Sequence, residues 1–154
     1  MSWSDELHTV QVDFYQLAGT AAEQVIASLA TRVIEAGGRL LIVADDDAFL
    51  SRLDRILWDQ GSTSFLPHGL AGSADDASQP ILLSTSPDAP NQARNMLIAD
   101  GTWREAALSY DRSFFLFNDS TLESARLAWK LLAGREEVER RYWAQESGKW
   151  VKKG

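Results

Sequence analysis

The amino-acid sequence predicts an α/β fold, a three-layer sandwich in which helices cover both faces of a mainly parallel central sheet. Apolar runs of strand length alternate with amphipathic stretches of helix length, which is the pattern of such a fold. Residues 40–44 are apolar without interruption, as expected for a strand covered on both faces. A chain of 154 residues with 45% apolar content is sufficient for one core, so we expect a single domain over residues 1–154.

The first third of the chain predicts a strand followed by two helices that flank the buried strand. Residues 10–14 alternate between apolar and polar side chains, which is the period of a half-buried strand. Apolar residues then recur at helical spacing over residues 25–34, and a glycine pair supplies the stop. After the buried strand, the aspartates at positions 45–47 can cap a second helix that reaches about Gln60.

Three more strands are expected in the middle and later parts of the chain. Each is a short apolar run, and the runs are residues 81–85, 96–99 and 114–117. Segments 69–80 and 86–91 are rich in Gly, Ser, Asp and Pro, and they therefore predict loops.

The last third of the chain predicts two further helices. Ser120 and Glu123 have the spacing of a capping box, which opens a helix that runs to about Ala133. A second helical stretch is expected from Glu136 to Gln145.

Motifs for phosphate binding are absent from the sequence. Parallel α/β sheets often bind nucleotides, but no GxGxxG follows the first strand and no GxxxxGK occurs anywhere. The sequence therefore predicts a Rossmann-like fold without a nucleotide site, and we expect no cofactor. His8 and His68 are the only histidines and there is no cysteine, so a catalytic metal centre has almost no nitrogen or sulfur ligands. Enzymatic activity is not expected.

An acidic triplet after the second strand leaves one enzymatic alternative open. Asp45, Asp46 and Asp47 suggest a magnesium site in a receiver-like or hydrolytic α/β enzyme. Receiver domains resemble one another in placing a lysine after a late strand, whereas no lysine precedes Lys130 here. Helix capping and compensation of the helix dipole are therefore favoured for the triplet.

Charge is divided unevenly along the chain. The net charge of −7 argues against a general surface for duplex DNA, which needs clustered Lys and Arg. Residues 125–154 nevertheless carry eight basic against four acidic side chains and hold every lysine, so this part is +4 and the remainder is −11. The basic tail at about 135–154 can attract an anionic partner, although a solvated basic surface without a partner has the same composition.

A first candidate surface contains Trp58. At about 100° per residue, Trp58 lies roughly 140° from the centre of the apolar side of its helix, so it is expected outside the core. Phe65, Pro67 and His68 follow closely in the sequence. Together they predict an apolar patch with polar edges, the usual composition of an interface. The alternative is that Trp58 and Phe65 cover the open edge of the sheet.

A second candidate surface lies on the first of the two late helices. Arg126 and Lys130 stand one turn apart, and Trp129 borders both. A guanidinium and an ammonium beside an aromatic ring are suited to binding a terminal carboxylate and a neighbouring apolar side chain. The alternative is that Arg126 forms an ordinary surface ion pair with Glu123 or Glu136.

Five segments carry a resemblance to a known family, namely 13–17 (DFYQL), 38–42 (GRLLI), 53–58 (LDRILW), 64–72 (SFLPHGLAG) and 80–83 (PILL). The Leu-Trp, Phe-x-Pro-His and Leu-Ala-Gly elements within them are quite specific. In order and over nearly the whole chain, these segments resemble the chi subunit of bacterial DNA polymerase III. The departures are concentrated after residue 134.

The resemblance implies a non-catalytic accessory subunit of the polymerase holoenzyme in DNA replication. The chi family links the clamp loader to single-stranded-DNA-binding protein by binding the acidic, phenylalanine-ending C-terminal tail of that protein. The family's pocket for this tail falls on the late helix and is matched here by Arg126, Trp129 and Lys130. Trp129 stands where many relatives have tyrosine.

The resemblance also implies a second partner. In the family, contact with the psi subunit of the clamp-loader assembly, or with a helicase that competes for the same surface, falls on the aromatic patch. Trp58, Phe65, Pro67 and His68 match that patch here. Contact with DNA is expected to be mainly indirect. No signal region opens the chain and no apolar run reaches membrane length, so the protein is expected to be soluble and cytoplasmic.

Overall fold

The computed structural model describes residues 9–19, 21–59, 67–147 and 149–154. Within these ranges the helices are α1 Ala22–Glu35, α2 Asp47–Trp58 and α3 Leu122–Leu132. The strands are β1 Val10–Gln16, β2 Leu40–Val43, β3 His68–Leu70, β4 Ile81–Ser84, β5 Asn95–Ile98, β6 Arg112–Phe117, β7 Val138–Glu146 and β8 Lys149–Lys152. Short 3-10 turns lie at Asp76–Ser78, Glu105–Ser109 and Asp119–Thr121.

The eight strands join one sheet in the order β3-β4-β2-β5-β6-β1-β7-β8. Every neighbouring pair is parallel except β7 and β8, which form an antiparallel pair at one edge. Side chains of α1 and α2 belong to one buried cluster, and side chains of α3 belong to the other. The predicted three-layer α/β sandwich with a mainly parallel sheet is confirmed.

The two core clusters are separated by the pleat of the strands. In β2, Leu40 and Ile42 face the α1 and α2 side, whereas Leu41 and Val43 face the α3 side, and all four are fully buried. Burying a side chain of this size contributes about 2 kcal/mol. Helices cover the strand on both faces, as the continuous apolar run predicted.

The boundaries of the earlier elements agree with their sequence signals. Helix α2 begins after Asp46, whose carboxylate accepts a hydrogen bond from the Ala48 amide at 2.9 Å, so the predicted cap is confirmed. The predicted end near Gln60 lies outside the described residues. Segment 69–80 was expected to be a loop, but its first residues belong to the short edge strand β3. None of the helices in the described ranges is long and apolar enough to cross a lipid bilayer.

The prediction that the first strand is half-buried is wrong. Val12, Asp13, Phe14 and Tyr15 are all buried, so β1 is covered on both faces. The strand lies between β6 and β7 in the sheet, so even its polar side chain Asp13 is buried and does not face solvent.

The predicted helix from Glu136 to Gln145 is also wrong. The chain forms β7 there, parallel to β1, with Tyr142 and Trp143 packed against opposite core clusters. Glu, Arg and Gln in this stretch favour a helix locally, but burial of the two aromatic rings and pairing with β1 override that preference. Ser147, with φ of 51°, then turns the chain into β8.

The helix after residue 120 begins differently from the prediction. The capping box is formed by Asn118 and Thr121, whose hydroxyl accepts a hydrogen bond from the Asn118 amide at 2.9 Å. A 3-10 turn therefore precedes α3, and the expected pairing of Ser120 with Glu123 is not made. Glu123 is left on the exposed face of the helix.

Candidate functional site

A cavity of about 720 Å³ lies beside α3, between this helix and the strands β1, β6 and β7. It brings together Arg126, Trp129 and Lys130, the three residues that the sequence singled out on this helix. The rest of its lining is Phe14, Gln16, Phe117, Leu122, Ala125, Tyr142, Lys153 and Gly154. We call this cavity the α3 pocket.

The floor of the α3 pocket is aromatic. The Trp129 ring meets Phe14 edge to face with 5.1 Å between ring centroids, and it meets Tyr142 at 6.0 Å. Phe117 lies 5.9 Å from Tyr142 in the same manner, and the Tyr142 hydroxyl donates a hydrogen bond to the Gln16 side-chain oxygen. Such edge-to-face pairs fix ring orientations, so the floor is a preformed apolar surface.

Arg140 holds Trp129 from the side of β7. Its guanidinium carbon lies 4.0 Å from the centroid of the Trp129 ring, and its Nη1 donates a hydrogen bond to the Trp129 carbonyl at 2.7 Å. One face of the indole is therefore covered by a cation, a contact that stabilises the ring in a single position.

Three cations stand at the rim of the α3 pocket. Arg126 is 62% exposed and donates to Glu123 at 3.0 Å, so the ion pair left open by the sequence is present. Lys130 has no ion pair among the described residues. Lys153 is paired with Glu146 across the β7–β8 hairpin. Exposed pairs of this kind contribute less than about 1 kcal/mol, so they do not withdraw the cations from a ligand.

The residues that sequence reasoning missed come from strands far away along the chain. Phe14 and Phe117 could have been predicted, because successive side chains of a strand point to opposite faces of the sheet, and this period gives the residues of β1 and β6 that face α3. Tyr142 could not, since its segment was expected to be helical, and Lys153 was expected only as part of the basic tail. The backbone joins them directly, because the Lys153 amide donates to the Tyr142 carbonyl at 2.7 Å.

The first candidate surface is only partly described. Trp58 is 55% exposed, which confirms that it lies outside the core. Phe65 lies outside the described residues, and Pro67 is half-buried. His68 is buried beneath the indole, with 4.6 Å between ring centroids, and its Nε2 lies 3.1 Å from Asp54 Oδ1. Among these residues, the exposed surface is therefore supplied by Trp58.

Two of the three aspartates after β2 have different partners. Asp46 caps α2, and Asp45 Oδ1 lies 2.8 Å from Arg104 Nη2. Arg104 also donates to both carboxylate oxygens of Asp100, at 2.9 and 3.0 Å. The described residues contain no group of three or more acidic or histidine side chains arranged to hold a metal ion.

Hydrogen bonds shift the pKa values of Asp100 and Arg104. Burial alone would raise the pKa of Asp100, but hydrogen bonds from Arg104 and from the Asp45 and Thr102 amides together hold that pKa below its ordinary value. The Asp100 carboxylate in turn raises the pKa of Arg104. The guanidinium thus occupies the space between Asp45 and Asp100 as a fixed positive charge.

The geometry defines an α/β domain with a mainly parallel sheet and an aromatic pocket rimmed by basic side chains. The family model described as DNA polymerase III chi subunit, HolC matches residues 10–138. The chain belongs to this family, so the family predicted from the five segments is confirmed. Membership supports an accessory role in DNA replication. The matched region ends at the start of β7, before Tyr142 and Lys153.

Curated relatives agree with the family model. The chain is 29% identical over 114 residues to DNA polymerase III subunit chi of Escherichia coli K12, covering 72% of this chain and 78% of that protein. The subunit of the same name from Pseudomonas aeruginosa is 33% identical over 91 residues, covering 57% and 62%. That of Haemophilus influenzae is 30% identical over 76 residues, covering 49% and 53%.

Proposed function

We propose that the chain is a non-catalytic accessory subunit of the DNA polymerase III holoenzyme that acts in the cytoplasm. In this role it links the clamp loader to single-stranded-DNA-binding protein by binding the acidic C-terminal tail of that protein in the α3 pocket. The observation that carries the proposal is the combination of an aromatic floor with cations at its rim.

The chemistry of such a tail fits the two parts of the pocket. A terminal phenylalanine ring would bury its apolar surface against Trp129 and Tyr142, and a cavity of about 720 Å³ lies in the range of ligand pockets. Arg126 and Lys130 would bind the free carboxylate and the preceding acidic side chains. Affinity should be moderate and should fall with salt, because the charge attraction is screened over about 8 to 10 Å at ordinary ionic strength.

We assign the second partner to the surface around Trp58. A tryptophan that is 55% exposed is typical of an interface residue. The psi subunit, another clamp-loader component or a competing helicase would cover it. We include Phe65 and Pro67 in this surface because they follow Trp58 closely in the sequence, and His68 packs against the indole. This surface and the α3 pocket use different helices, so both partners can be bound at once.

Calorimetry with a synthetic acidic peptide ending in Asp-Phe tests the tail-binding function. The wild type should bind, and Arg126→Ala and Lys130→Glu should each weaken binding about tenfold, the loss expected for a charged hydrogen-bond partner. Trp58→Ala and Arg52→Ala are matched controls on α2, and both should bind as the wild type does. A peptide with an amidated C-terminus should bind more weakly.

Two results would overturn different parts of the proposal. If the wild type does not bind the peptide, the tail-binding function fails. If Arg126→Ala and Lys130→Glu bind as tightly as the wild type, the function survives elsewhere on the surface but the assignment to the α3 pocket is lost.

A further inference from the structure

The last segment of the chain adds a cation to the α3 pocket. Lys153 lines the cavity although it lies beyond the region matched by the family model, which ends at residue 138. Its backbone is fixed because its amide donates to the carbonyl of Tyr142, a residue of the pocket floor, at 2.7 Å. The side chain therefore starts at the mouth of the pocket.

Lys153 is paired with a carboxylate of the chain itself. Its Nζ contacts Glu146 Oε1, on the paired strand of the β7–β8 hairpin. The side chains of Lys153 and Glu146 are 45% and 51% exposed, so water competes for both partners. Glu146 is not part of the pocket lining. The ammonium can thus exchange Glu146 for a carboxylate that arrives in the cavity, by rotation about its own side-chain bonds.

We infer that Lys153 is a third peptide-binding cation of the α3 pocket and that Glu146 competes intramolecularly with the acidic peptide for it. This inference rests on the proposed function and adds the residue that tunes its affinity. An acidic peptide must displace Glu146 to reach Lys153, so the internal carboxylate lowers the affinity of the site. Because the displaced pair is exposed, the loss is small and binding remains reversible.

A double-mutant cycle with the same Asp-Phe peptide tests the inference at low salt. Lys153→Gln should weaken binding, and Glu146→Gln should tighten it, each about threefold, the effect of one exposed ion pair. The double variant should bind as Lys153→Gln alone does, since Glu146 has no effect once the lysine is gone.

Matched variants separate this local competition from the long-range effect of the protein's net charge. Glu139→Gln makes the same change of net charge on the same strand, but Glu139 pairs with Arg141 and does not line the pocket. Lys152→Gln is the corresponding control for Lys153. Each control should change the affinity by less than about half as much as the variant that it matches, Glu146→Gln or Lys153→Gln.

Three outcomes would overturn the inference while leaving tail binding intact. The first is equal tightening by Glu146→Gln and Glu139→Gln, which would show only a long-range charge effect. The second is a gain from Glu146→Gln that persists without Lys153. The third is a Lys153→Gln variant that binds as the wild type does. A wild type that fails to bind the peptide would instead overturn the proposed function, so the two failures are distinguishable.

Discussion

Trp129 shows how one side chain of the α3 pocket depends on residues that are distant in the sequence. Phe14 of β1 and Tyr142 of β7 each form an edge-to-face pair with its ring, while Arg140 covers one face and donates a hydrogen bond to its carbonyl. The indole is therefore held before any ligand arrives, and a peptide that binds it pays little to order the site.

Replacing Arg140 tests this arrangement. Arg140→Gln should lower the free energy of unfolding by about 1 kcal/mol, because a half-buried cation–aromatic contact and a charged hydrogen bond are lost together. Urea denaturation measures the change, and peptide binding should weaken as well, since the ring is no longer fixed. Arg52 lies 5.5 Å from the Phe49 ring on an exposed helix face, so Arg52→Gln is the control and should have less than half the effect. Equal losses in the two variants would contradict the role given to Arg140.

The strands β6, β1 and β7 are joined by one buried carboxylate. Asp13 Oδ2 accepts hydrogen bonds from Arg112 Nε of β6 and from Gln11, each at 2.9 Å, and Asp13 Oδ1 accepts from Trp143 Nε1 of β7 at 3.1 Å. Both oxygens of this buried side chain therefore have hydrogen-bond donors as partners. The parallel register of these strands also places Phe14 beside Tyr142 in the pocket floor.

Removal of this carboxylate should loosen the sheet where the pocket is built. Asp13→Ala is expected to lower the free energy of unfolding by about 2 kcal/mol, because a partly buried indole N–H and a partly buried guanidinium lose their acceptor. Chemical denaturation checks the value against Asp119→Ala, an exposed aspartate in the turn before α3, which should change stability by less than about 0.5 kcal/mol. If Asp13→Ala is as stable as that control, the carboxylate does not hold β7 in place.

The sequence predicted those parts of the fold that depend on local patterns. Helices α1 and α2 and the buried strand β2 follow from spacing, caps and continuous apolar runs. Strand β7 could not be recognised, because its charged side chains favour a helix and only the pairing with β1 makes it a strand. For the same reason Arg126, Trp129 and Lys130 were found from one helix, whereas Tyr142 and Lys153 reach the pocket only after the sheet has formed.

The whole molecule separates an acidic body from a basic end. The segment 125–154 carries +4 and the remainder carries −11, and the three cations at the rim of the α3 pocket all belong to the basic part. An acidic peptide is expected to be attracted to the basic segment and repelled by the rest of the chain. Under the proposed function, this division would direct an acidic tail to the α3 pocket and leave the Trp58 surface, in the acidic part of the chain, for a different partner.

Titration of isotope-labelled protein with the Asp-Phe peptide, followed by the indole N–H signals in NMR spectra, tests the use of the α3 pocket most directly. The Trp129 signal and the amides of Arg126, Lys130 and Tyr142 should shift together as the peptide is added, while the Trp58 signal stays in place. A titration that moves the Trp58 signal and leaves Trp129 unchanged would contradict the assignment of the peptide site to the α3 pocket.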